Sequence, residues 1–194
     1  GKEIIPQSIH KHKVISYQYD GYWTDIGNIY SFFEANLALT QDIPPFNLFD
    51  NNKMVYSRAR MLPPAKISGS NLNNTLLAEG SIIKAEKISN SVIGIRSRIG
   101  TGTIIEGCYL MGSDFYETLE EIAHNFKNNI PPVGIGDNCH LKNVIVDKGC
   151  RIGNNVIIKG GNHLADNDHA IYAVKDGIVV IKKHAVVADG FVLE

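Results

Sequence analysis

An excess of charge is the first thing this sequence lacks. Its 194 residues carry a formal net charge of −1 at pH 7. Nothing in that balance favours nucleic acid or an anionic membrane surface as a partner. Cysteine is scarce. Cys108, Cys139 and Cys150 are odd in number and form no CxxC pair, which excludes the usual zinc spacings and a disulfide scaffold. They read as free thiols in a reducing compartment, with a regulatory disulfide between chains as the other reading. No apolar run is long enough to span a bilayer. A P-loop and a nucleophile elbow are also missing. There is no signal peptide and no initiator methionine, and Gly1-Lys2-Glu3-Ile4-Ile5-Pro6 reads like the middle of a domain. The chain is therefore expected to be a piece of a longer protein, with any targeting segment upstream. The hydrophobic fraction of 44% suits a globular core.

Residues 1–41 have mixed character. Val14–Tyr19 (VISYQY) alternates and predicts a strand. Residues 29–39 place Ile29, Phe32, Phe33, Asn36 and Leu37 at helical spacing, with Asn28 in position to cap the helix. Residues 42–66 hold Pro44, Pro45, Pro63 and Pro64, which exclude regular helix and predict an extended linker.

From Ile67 a repeat begins. Ile67, Leu72, Leu77, Ile83, Ile88, Ile93, Ile99, Ile105 and Leu110 follow at five- or six-residue steps. The series resumes at Ile135, Leu141, Val146, Ile152 and Ile158, and closes with Ile181, Val187 and Leu193. Between them stand small or turn-forming residues such as Gly100, Gly136-Asp137-Asn138 and Gly153-Asn154-Asn155. A step of six fits one short strand and one tight turn per face of a triangular coil, with the aliphatic pointing inward onto its copy in the next coil. A β-sandwich with regular turns is the competing reading. Two insertions interrupt the repeat. The one at about 111–133 has Leu119, Ile122, Ala123 and Phe126 at amphipathic helical spacing. The one at about 159–177 is polar and reads as a long surface loop.

Three sets of residues are candidates for chemistry. Asp25, in Asp20-Gly21-Tyr22-Trp23-Thr24-Asp25-Ile26-Gly27, suits the rim of a sugar or nucleotide pocket, where a carboxylate can hold Mg²⁺ between phosphate oxygens. It equally suits a turn cap before the helix. The cations Arg58, Arg60, Lys148, Lys175, Lys182 and Lys183 would suit one anion if the chain folded back on itself. Scattered solvated charge is the alternative. Histidines 10, 12, 124, 140, 163, 169 and 184 show no partner in sequence, and His140 reads as structural.

Tyr19–Gly27, Ser31-Phe32-Phe33-Glu34-Ala35-Asn36-Leu37 and Leu62-Pro63-Pro64-Ala65-Lys66 resemble ADP-glucose pyrophosphorylases. So do Ser91–Ser97, Leu110–Thr118, Gly134–Leu141 and Ile145-Val146-Asp147-Lys148. The likeness is to the plant or cyanobacterial type, Gly134–Leu141 resembles the plant small subunit, and together the strings run along nearly the whole chain. The resemblance implies a mainly β fold: a left-handed parallel β-helix at 67–194, preceded by the C-terminal tail of an α/β nucleotidyltransferase domain at 1–41 and a linker at 42–66. The hand of the helix comes from the family.

The resemblance also implies a reaction, in which ATP and glucose 1-phosphate give ADP-glucose and pyrophosphate for starch or glycogen. Asp25 matches a metal-binding aspartate, so Mg²⁺ is the expected cofactor. Arg58, Arg60, Lys148 and Lys182 match groups that bind 3-phosphoglycerate or phosphate as effectors. A homo- or hetero-tetramer is implied, in a plastid or a bacterial cytoplasm. The family's Gly-rich nucleotide loop and sugar-phosphate lysine have no counterpart here, so the chain alone is expected to be inactive. Thr24 stands where the family usually has an acid, and Asn28 where it usually has Thr. A non-catalytic regulatory subunit is the alternative, and a hexapeptide acyltransferase a more distant one.

Overall fold

The computed structural model describes residues 2–194. From Lys66 onward the chain winds as a solenoid of short parallel strands, and the aliphatic repeat forms its interior. On one face Ile67, Ile83, Ile99, Ile135, Ile152 and Val187 stand in direct register, coil upon coil. On the second face the stack is Leu72, Ile88, Ile105, Leu141, Ile158 and Leu193. On the third it is Leu77, Ile93, Leu110, Val146 and Ile181. All aliphatics of the repeat therefore lie on three ladders that meet on the solenoid axis. Those in the middle coils are buried, and Ile67 and Leu72 in the first coil are partly open to solvent. This is the coiled architecture that the spacing predicts, and it excludes the sandwich.

The corners have their own ladder. Asp137 Oδ1 accepts the Thr101 N–H at 2.7 Å, Asn154 Oδ1 accepts the Asp137 N–H at 2.8 Å, and Asp189 Oδ1 accepts the Asn154 N–H at 2.8 Å. Each coil thus caps a turn amide of its neighbour that no strand could satisfy. Asn138 and Asn155 turn the chain at φ 54° and 56°, a region that asparagine tolerates better than most residues. Inside, the Thr103 hydroxyl donates to Gly136 O and accepts from Cys139 N–H, so a fully buried polar group is satisfied.

Among the described residues two α-helices and a short 3-10 turn at Ala38–Thr40 precede the solenoid. The first, α1 (Ile4–Ile9), is short, and α2 spans Ile29–Leu37 with the Asn28 side chain accepting from Ser31 N–H as its cap. The third face of the solenoid is apolar on both sides at Val144–Val146 and Ile178–Ile181, and α2 covers its outer side. Phe33 is buried against Ile145 and Ile178, and Phe32 meets Tyr109 edge-on at 5.3 Å. Val14–Tyr19 forms no strand. The segment is exposed and has no ladder partner, and alternation alone does not make a sheet.

Both insertions are ordered. The first carries α3 (Leu119–Lys127), with a capping box between Thr118 and Glu121. Its apolar residues divide: Ile122 is half-buried, while Leu119 and Phe126 face solvent. The second is not the surface loop its polarity predicts. Asn167–Asp168 and Tyr172–Lys175 pair antiparallel, and Tyr172–Lys175 continues through a tight turn at Asp176-Gly177 onto Ile178–Ile181. Both turn residues have positive φ, 52° and 73°.

Candidate functional site

The proline-containing segment 42–66 passes the solenoid beside the first insertion, and cations gather there. Arg58, Arg60, Arg96, Asp114, Ala59 and Phe115 line an open cleft of about 480 Å³. Arg58 and Arg60 are exposed on that segment. Arg96 comes from a solenoid corner at φ 54°, donates to Ser113 O at 3.4 Å, and lies over the Tyr116 ring at 5.5 Å. Lys148 reaches the cleft through Asp114, with Nζ and Oδ1 2.7 Å apart and both side chains about one-third exposed.

Asp114 reports the local field. The hydrogen bond from Lys148 holds its carboxyl below the usual aspartate range; burial opposes this, and the charges of Lys148, Lys183 and Arg60 add smaller downward pulls.

The insertion that forms this wall is firmly attached. Tyr116 Oη donates to Gly80 O at 2.8 Å. Glu117 accepts from Arg151 at 2.7 Å, from Val133 N–H at 2.8 Å and from Asn125 at 2.9 Å. Burial raises the Glu117 carboxyl, but the Val133 amide and Arg151 outweigh it and the net shift is downward.

The remaining candidates lie apart. Lys182 donates to Asp168 and to His169 O, both at 2.5 Å, and so ties the second insertion down. Lys175 pairs with Asp166 in the same hairpin. Asp25 is exposed and accepts from the Gly27 N–H at 3.1 Å, a turn contact, and its other oxygen has no hydrogen bond among the described residues. It does not line the cleft. His140 pairs with Glu106 at 3.2 Å, beside a Lys87–Glu106 pair at 2.9 Å, in keeping with a structural role. The cysteines are free and buried, and burial pushes Cys108 up to about 12 and Cys150 to about 11. Among the described residues no cluster of three or more His, Cys, Asp or Glu is placed to hold a metal, and no helix is long and apolar enough to cross a membrane.

Sequence reasoning does not single out Arg96 and Asp114 as cleft residues. Gly94 and Gly100 on either side of Arg96 mark a corner, but the approach of that corner to the segment 42–66 is a product of the winding.

Residues 60–192 match the model of the GLGC left-handed parallel β-helix domain. The chain belongs to the ADP-glucose pyrophosphorylase family. The match covers the solenoid from just before its first strand to the last coil, and it gives the coil its left hand. In this family the domain is the C-terminal region of a nucleotidyltransferase, and Arg60, Arg96, Asp114 and Phe115 of the cleft lie within the matched residues.

Proposed function

We propose that this chain is the effector-binding and assembly part of a glucose-1-phosphate adenylyltransferase. One observation carries the reading: beside a pyrophosphorylase β-helix, Arg58, Arg60 and Arg96 line one cleft, and Lys148 is bonded to Asp114 in its wall. Such a group suits a small phosphorylated anion, for which Arg offers paired donors and Lys a compact charge. 3-Phosphoglycerate and inorganic phosphate are the effectors proposed. Ile181, the last rung of the third interior ladder, sets where Lys182 and Lys183 leave the coil. Lys182, which the family likeness assigns to effector binding, is held by Asp168 and His169 O and would have to leave them to reach an effector.

The reaction proposed for the whole protein is attack of a glucose 1-phosphate oxygen on the α-phosphorus of ATP. A new P–O bond forms, the bond to the β-phosphate bridge breaks, and pyrophosphate leaves. Asp25, exposed and with one oxygen uncommitted, fits a cation held by a single carboxylate plus substrate phosphates. Mg²⁺ bound there would neutralise phosphate charge. Residues 1–41 are read as the end of the nucleotidyltransferase domain and 42–66 as the linker. The exposed Tyr17, Tyr19 and Trp23, which lie outside any strand, support that reading. A tetramer, in a plastid or a bacterial cytoplasm, belongs to the same proposal. Thr24 and Asn28 favour a second reading, a regulatory subunit without turnover.

The test is pyrophosphate release from ATP and glucose 1-phosphate by the complete protein, with and without 3-phosphoglycerate. Activity that falls about a hundredfold or more in Asp25→Asn supports the enzyme, on the scale of losing one charge-stabilising group. Absent activity with retained effector binding supports the regulatory subunit.

A further inference from the structure

The cleft contains its own anion. Asp114 is the one carboxylate among the described side chains that line it, beside three arginines. It is bonded to Lys148, the cation that would otherwise offer its donors to a ligand. The charges of Arg60 and Lys183 also act on it.

We infer that Asp114 is an internal competitor: it occupies the cation group when no ligand is bound, and a phosphoryl anion must displace it from Lys148. This rests on the reading of the cleft as an anion site. A phosphoryl dianion approaching Arg58, Arg60 and Arg96 meets a negative charge already in place, and like charges in one site oppose each other. The Lys148 ammonium can serve both only by giving up part of its bond to Asp114.

The attachments around Asp114 determine how it yields. Ser113 Oγ donates to Phe115 O, Tyr116 is tied to Gly80, and Glu117 to Arg151. The backbone on both sides is held, so the displacement is a rotation of the Asp114 side chain and not an opening of the insertion. Arg96, which donates to Ser113 O, stays in place on the cleft wall. The segment thus carries a tethered carboxylate that leaves a fixed cation set behind when it swings out.

The experiment is calorimetric titration of the protein with inorganic phosphate at pH 8, for wild type, Asp114→Asn, Asp114→Glu and Arg60→Ala. Removing the charge in Asp114→Asn should tighten phosphate about fivefold, the scale of one exposed ion pair given up. Asp114→Glu should stay near wild type, and Arg60→Ala should weaken binding. Asp114→Ala repeats the first result should the asparagine disturb the fold, as a thermal melt will show. A second readout follows the Asp114 carboxyl by ¹³C NMR: saturating phosphate should move its titration up toward the ordinary range as Lys148 leaves it. Phosphate binding to wild type without tightening in either neutral variant overturns the competitor and leaves the anion site standing. No binding by any form overturns both.

Discussion

Glu117 and Arg151, 34 residues apart in sequence, meet at 2.7 Å and fasten the first insertion to the solenoid. The Glu117 side chain is only 6% exposed, so its charge depends on that partner and on the Val133 amide. Glu117→Gln should cost about 2–3 kcal/mol, within the range for hydrogen bonds to a charged group. The pH dependence has a definite sign. A carboxyl held below its ordinary value stabilises the fold above the unfolded-state pKa, and that contribution is lost as pH falls through the lower folded value. Urea unfolding at a series of acid to neutral pH values should show this acid loss in wild type and a smaller one in Glu117→Gln.

The interior ladders predict a gradient of sensitivity. Ile105 is fully buried with Ile88 and Leu141 as rungs on either side, whereas Ile67 in the first coil is 46% exposed. Ile105→Ala should lose about 3–4 kcal/mol and Ile67→Ala much less, because only the first leaves a closed cavity. Denaturant unfolding of the two variants checks the difference.

The thiols should be inert in the native state. Burial raises Cys108, Cys139 and Cys150 above the ordinary thiol range, which disfavours the thiolate in each. Alkylation by iodoacetamide should be slow for all three and become fast on unfolding. Fast native labelling would contradict the burial.

Lys182 and Lys183 are neighbours with different attachments. Lys182→Ala removes two bonds to the hairpin and should loosen Asn167–Lys175, visible as faster amide exchange there. Lys183→Ala should leave that exchange unchanged and weaken phosphate binding instead.

Much of the fold was legible because an inward aliphatic at every fifth or sixth residue is a direct image of three stacked ladders. Asn28 and the spacing of Ile29, Phe32 and Phe33 likewise announced α2, and the structure places the cap and the buried face there. Val14–Tyr19 shows the limit of such patterns, since alternation marks a segment able to pair but does not supply a partner. The hairpin after Asn167 was hidden by its charges: Asp166 and Asp168 look like loop residues but hold Lys175 and Lys182. Its signal was Asp176-Gly177, a two-residue turn followed by the apolar Ile178–Ile181. Arg58, Arg60 and Lys148 drew notice through family likeness, and the structure places the first two on the cleft and Lys148 on Asp114. Arg96 and Asp114 drew none, because only the winding of the coil carries them to the segment 42–66.

The most direct test of the account is calorimetric titration with 3-phosphoglycerate of wild type beside an Arg60→Ala, Lys148→Ala double variant, with both melts recorded. The account predicts one saturable site in wild type and a loss of at least about a hundredfold in the variant, roughly tenfold for each cation removed at about 1.4 kcal/mol per tenfold step. Equal binding by the two well-folded proteins, or none by wild type, would contradict the cleft as the effector site.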